Sequence, residues 1–141
     1  MISEMNEMAA RQFLRNHTIG HLGCILGTGE PYVIPVSYFL RNDGIYIHCL
    51  PGLKLDAMRS SPNVCFEVTK AVMEHEWESV IAFGKFHEIT DPGQTSEILT
   101  EMFARFERLT PVEALSMDRN DDLPVIVFRI EIQRITGRTE S

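Results

Sequence analysis

The sequence predicts a mainly β (α+β) domain: a small antiparallel barrel with flanking helices. Three observations point there. About six runs have strand-like patterning, short turn signals join the first of them, and three helix-like runs lie between or around them. Closing such a sheet removes edges that would otherwise pair with other chains, and a small barrel achieves this at modest size. A flat sheet packed on helices fits the same pattern.

Taken in order, residues 3–16 fit a first helix. Ser3 can cap it, and Met5, Met8, Ala9 and Phe13 recur at helical spacing. From Ile19 the pattern turns to strand: "IGHLGCIL", the turn Gly27-Thr28-Gly29, "PYVIPVSYFL", the hairpin signal Asn42-Asp43-Gly44, then "IYIHCL". Pro35 offers no amide hydrogen, which confines its strand to an edge or an irregular stretch. After Pro51-Gly52, "LKLDAMRSS" reads as a helix of about two turns that ends before Pro62. "NVCFEVT" and "SVIAFGKFHEI" read as strands, and Gly84 in the second suggests a bend or bulge. Asp91-Pro92-Gly93-Gln94 carries N-cap, first-turn proline and capping-box spacing for a helix striped by Ile98, Leu99, Met102, Phe103 and Phe106. In the last strand, Ile126, Phe128, Ile130 and Ile132 alternate with Arg129, Glu131 and Gln133.

Composition narrows the function. A chain of 141 residues is long enough for one domain with a real core. A net charge of −7 argues against nucleic acid, whose phosphates call for a basic surface. No apolar run approaches the ~20 residues that span a bilayer. The start "MISEMNEMAARQF" has no apolar stretch of the signal-peptide kind. Cys24, Cys49 and Cys65 are far apart and fall in apolar strands, as reduced buried thiols of a cytoplasmic protein do.

Catalytic signatures of the common hydrolases are absent. Asp118, Asp121 and Asp122 sit in the polar run "SMDRNDD", which has no apolar wall to raise a carboxyl pKa. No nucleophile elbow occurs, and "GTG" is not followed by a helix, so no phosphate loop is formed. His17 and His21 are four apart, but Gly20 and the start of a strand break the helical geometry a metal pair needs, so no metal site is assigned.

"HCLPGLK", residues 48–54, carries more chemistry. Ile45, Ile47 and Cys49 share one face of their strand, so His48 lies on the other, just before the Pro-Gly corner and Lys54. A helix starting near Leu53 aims its unpaired N–H groups at the same place. Lysine, imidazole and backbone donors together suit a phosphate, although a solvated lysine also fits the spacing. An irregular strand around Pro35 and Ser37 would leave backbone groups able to read the edge of a planar heterocycle; an ordinary edge strand is the competing reading.

Taken together, "GHLGCILGTGEPYVIPVSYFL", "GIYIHCLPGLKLDAMRSSPNVCFEV", "WESVIAFGKFHEI" and "VIVFRIEIQRITGR" resemble the FMN-binding split-barrel family that includes pyridoxamine 5'-phosphate oxidase. Within it the chain is most similar to the nitroimidazole-resistance, nitroreductase-like branch. The resemblance implies a single FMN-binding domain over residues 1–141: a six-stranded Greek-key split barrel, paired as a homodimer with FMN between subunits. It implies that Pro35, Val36, Ser37 and Tyr38 lie along the flavin ring, mostly through backbone groups. Lys54, the amide of Leu53 and His48 would hold the phosphate, and His48 could instead face the substrate. Ser79 and Val80 would line the same pocket, with Trp77 contacting the flavin region from the same or the partner subunit. The implied activity is hydride or electron transfer to a small acceptor, such as a nitroaromatic. A non-enzymatic split barrel carrying flavin, haem or a deazaflavin is the alternative, and haem would need His48 or His21 as an axial ligand. Leu53 stands where relatives often carry a basic residue.

Overall fold

The computed structural model describes residues 1–105 and 125–141. Phe106 and the aspartates of "SMDRNDD" lie outside the described residues. Strands are β1 (Ile2–Met5), β2 (Ile19–Ile25), β3 (Pro31–Ser37), β4 (Phe39–Arg41), β5 (Gly44–Cys49), β6 (Asn63–Met73), β7 (Glu76–Ile89) and β8 (Ile126–Glu140). Helices are α1 (Glu7–Arg15), α2 (Leu53–Ser60) and α3 (Pro92–Arg105).

The strands form one antiparallel sheet in the order β3-β2-β6-β7-β8-β5-β4, with β1 added along β8. Its two ends, β3 and β4, are consecutive in sequence and separated by Tyr38 alone. In a flat sheet those edges would stand about 29 Å apart at ~4.8 Å per strand. One residue bridges only about 3.5 Å. The sheet therefore curls until its edges meet, which decides for a barrel over a flat layer and yields the split-barrel form.

Two expectations are corrected. The described sheet has eight strands, not six. One reason is that "PYVIPVSYFL" is two strands on opposite edges: Tyr38 leaves the ladder, its amide donating to the Thr18 carbonyl (2.9 Å), and its side chain enters the core. The other is that the first helix does not begin at Ser3. Ile2–Met5 pairs with the chain end as β1, and Asn6 caps α1 by accepting from the Ala9 amide (2.8 Å).

The core is filled from both directions. Leu22, Ile45, Ile47, Phe66, Val68 and Phe128 point into the barrel, where Leu14 of α1 and Leu55 and Met58 of α2 close on them. A smaller cluster holds Ile98 and Met102 of α3 against Phe39 and Val127. Asp91 accepts from the Gln94 amide (2.9 Å), so the capping predicted for α3 is present.

Gly84 occupies the irregularity its sequence position suggested: the β7–β8 register shifts between Phe83 and Gly84. A Cβ there would lie 2.1 Å from the Glu131 carbonyl oxygen. Gly84→Ala is therefore expected to cost about 3 kcal/mol of stability, because two paired backbones must part to admit it. Urea unfolding measures this, and an unchanged midpoint would contradict the close approach.

Candidate functional site

A cleft of about 640 Å³ opens where β3, the end of β5 and the start of α2 meet. Its side wall is the β3 run Ile34, Pro35, Val36 and Ser37. Among the described residues β3 pairs only with β2, so its outer edge keeps backbone groups that no described strand consumes. His48 and Cys49 form the floor with Leu50, followed by the corner Pro51-Gly52. Leu53 and Lys54 close the far end, and Ile19, Tyr32 and Val125 complete the apolar rim.

Local sequence explains this arrangement. Alternation along β5 buries Ile45, Ile47 and Cys49 and leaves Tyr46 and His48 half-exposed on the opposite face. Pro51 and Gly52 then turn the chain into α2. Gly52 stands at the helix cap in extended geometry, with no side chain to accept from the first-turn amides. The positive end of α2 thus faces the cleft beside the half-buried Lys54. Among the described residues Lys54 makes no ion pair. His48 is backed by α3: its Nδ1 lies 3.2 Å from Met102 Sδ, and its ring meets Phe103 edge-on at 6.4 Å.

Burial pushes the Cys24 and Cys49 thiols above their ordinary pKa, and the Lys54 ammonium partly offsets this at both. The lysine's field therefore reaches the floor of the cleft. Burial also raises the Tyr38 phenol well above its usual range. Groups raised in the folded state hold their protons to higher pH than the unfolded chain does. Their contribution to stability is complete below the ordinary thiol pKa and is lost as pH rises through the folded values. The urea midpoint is accordingly expected to fall between about pH 8 and about pH 11. A midpoint that rises across this window would contradict the burial of these groups.

Of the residues singled out from sequence, the cleft brings together Pro35, Val36, Ser37, His48, Leu53 and Lys54. Four others lie outside its lining. The Tyr38 side chain is fully buried and donates to the Leu14 carbonyl (2.6 Å). Val80 is also fully buried in the core. Ser79 donates to Glu67 (2.9 Å), a carboxylate that also receives the Thr69 hydroxyl and lies 3.3 Å from His21 Nδ1. The Trp77 indole donates to Glu140 (2.8 Å). Sequence reading missed Tyr32 and Ile34, although they follow from Val36 by the two-residue period of a strand. It also missed Ile19 and Val125, which no local signal marks.

Among the described residues, no three metal-ligating side chains converge and no helix is long and apolar enough to cross a membrane. His17 is occupied structurally, with Nδ1 2.7 Å from the Phe13 carbonyl.

Comparisons with known proteins follow the same geometry. Residues 6–139 match the model of the pyridoxamine 5'-phosphate oxidase family. An uncharacterized protein of Rhizobium meliloti (strain 1021) is 32% identical over 60 residues, 43% of this chain. That alignment spans only 40% of the relative's length. A FAD-binding protein of Mesorhizobium loti superposes with a TM-score of 0.77 at 25% identity, covering 100% of this chain and 99% of the other. Two further likenesses concern the fold alone. A proposed 5-nitroimidazole antibiotic resistance protein of Bacteroides thetaiotaomicron gives a TM-score of 0.76 at 20% identity, covering 99% of this chain and 87% of the other. A flavocytochrome of Azotobacter vinelandii gives 0.73 at 20% identity, covering 96% and 68% respectively.

Proposed function

The chain belongs to the pyridoxamine 5'-phosphate oxidase family, and from that premise we propose that it is an FMN-dependent oxidoreductase acting on a small acceptor such as a nitroaromatic. The observation that carries this reading is the composition of the cleft. One end offers Lys54 and the uncapped start of α2, and the side offers an apolar strand edge. An anionic tail joined to a planar ring fits that division. The volume lies within the roughly 300–1,000 Å³ usual for small-molecule sites.

When bound, flavin supplies hydride or single-electron transfer, and the protein's part is to bind, orient and exclude water. Lys54 and the amides of Leu53 and Lys54 hold the phosphate. Ile34, Pro35 and Val36 give the ring a dry wall, while unpaired backbone groups of β3 hydrogen-bond its edge. Tyr38 is fully buried, with its amide committed to the Thr18 carbonyl and its hydroxyl to the Leu14 carbonyl, so it supports the cleft wall from the core. His48 presents an imidazole on the floor, toward the acceptor. No carboxylate pair is needed for such chemistry.

A homodimer completes the site in this reading. Ile19 (62% exposed) and Leu53 (58%) are exposed apolar side chains on the cleft lining that a second copy would cover. Trp77 and Ser79, which lie away from their own cleft, would then serve the partner's. Unpaired thiols at Cys24, Cys49 and Cys65 suit a reducing compartment such as the cytoplasm.

Anaerobic reduction of the flavin-loaded protein, followed by mixing with nitroaromatic or quinone acceptors, tests the activity. Saturable reoxidation is expected. Flavin that is bound but reoxidised by acceptors no faster than free flavin would identify a carrier instead.

A further inference from the structure

The three tyrosines of the chain have different employments. Tyr38 donates to the Leu14 carbonyl inside the core, and Tyr46 stacks on Phe39 with ring centroids 5.2 Å apart. Tyr32 alone lines the cleft. It is half-buried, its side chain packs against the main core, and no hydrogen bond among the described residues engages its hydroxyl. The strand register fixes which end of the cleft it occupies. In the β2–β3 ladder Tyr32 pairs with Cys24, and Ser37 pairs with Ile19. Tyr32 and Ser37 therefore stand about 17 Å apart along β3, at ~3.3 Å per residue. Cross-strand partners present their side chains to one face, which sets Tyr32 beside Cys24. Helix α2, which carries Lys54, packs against β2. The Lys54 ammonium acts on the Cys24 thiol, partly offsetting the rise that burial causes there. Lysine and phenol thus share one end of the cleft, while Ser37 and Ile19 mark the other.

We propose that Tyr32 is a second side-chain donor for the cofactor's phosphate, sharing the anion with Lys54, while the stretch from Ile34 to Ser37 takes the ring. The inference deepens the flavin reading and rests on it for the identity of the ligand. A phenol donates one hydrogen bond without adding charge, and bonds to an ionised acceptor are the stronger kind. Packing of the Tyr32 ring against the core holds the hydroxyl in place before a ligand arrives, so little ordering remains to be done on binding. Lys54 has a longer and more flexible stem, and it attracts the phosphate by charge. Tyr32 adds direction to that attraction and orients the cofactor along β3.

Tyr32→Phe tests this, because it removes the hydroxyl and keeps the ring. FMN, riboflavin and phenyl phosphate are each titrated calorimetrically into the cofactor-free chain and the variant, whose fold is checked by near-ultraviolet circular dichroism. FMN affinity is expected to fall about 5- to 20-fold, the loss of one hydrogen bond to a charged group. Riboflavin, which lacks the phosphate, should bind both proteins equally. Phenyl phosphate reads the donor without a flavin, and its affinity should fall several-fold. Unchanged FMN affinity overturns the assignment of Tyr32 and leaves the flavin reading standing. Equal losses for FMN and riboflavin also overturn it, since they would set Tyr32 against the ring. A chain that binds no FMN, yet loses phenyl phosphate affinity on Tyr32→Phe, keeps the phosphate donor and ends the flavin reading. Binding of neither phosphate ends both.

Discussion

Lys54→Ala is expected to weaken FMN binding about 10- to 100-fold, the loss of one charge-assisted contact to a phosphate. The side chain stands at the end of the cleft, beside a helix start whose cap supplies no acceptor. It makes no ion pair among the described residues, so its removal strands no carboxylate among them. Stability should change little. Riboflavin, which lacks the phosphate, separates the causes: its affinity should be the same for both proteins, since Lys54 would touch only the anionic tail. Equal loss for riboflavin and FMN would mean that the cleft had been disturbed. Unchanged FMN affinity would remove Lys54 from the phosphate site. Leu53→Arg provides the converse, because it adds a cation where an exposed apolar side chain now stands; a several-fold gain for FMN alone is expected.

Tyr38→Ala should be damaging in a different way, costing about 3–5 kcal/mol of stability. The ring is fully buried, packs edge-on against Phe66 at a centroid distance of 4.7 Å, and donates its hydroxyl to the Leu14 carbonyl. It also occupies the one residue that joins the two edges of the curled sheet. Truncation therefore opens a cavity at the closure and loosens α1 at once. Tyr38→Phe keeps the ring and removes one of two bonds to the Leu14 carbonyl, which still receives the His17 amide (3.4 Å), for a smaller loss of about 1 kcal/mol. Under conditions where Tyr38→Phe is fully folded, FMN affinity should be unchanged. A large loss of FMN affinity in a fully folded Tyr38→Phe variant would return this side chain to the binding site.

Local signals in the sequence were informative where one element sets its own geometry. Asn42-Asp43-Gly44 turned β4 into β5, Asp91 capped α3, Gly84 marked the irregularity in β7, and β5 alternation put His48 opposite Ile45 and Ile47. These features depend on residues within a few positions of one another. What depended on distant parts of the chain was harder to read. β1 exists because β8 runs on to Glu140 and offers it an edge, a pairing no window around Ile2 reveals. The break at Tyr38 follows from sheet closure rather than from any turn residue. The candidate site divides in the same way. Pro35, Ser37, His48 and Lys54 were marked by edge-strand chemistry and a helix start, and the fold brings them to one cleft. Trp77 and Ser79 came from family resemblance alone, and within one chain they hydrogen-bond to Glu140 and Glu67 instead. Their proposed place at a flavin would depend on a second copy, whose docking no single-chain pattern encodes.

The most direct measurement is the visible spectrum of the freshly purified protein, with mass spectrometry of whatever is released on denaturation. A yellow protein showing the flavin absorption bands and releasing FMN is the predicted result. A haem Soret band, or a colourless protein that takes up no added FMN, would contradict it.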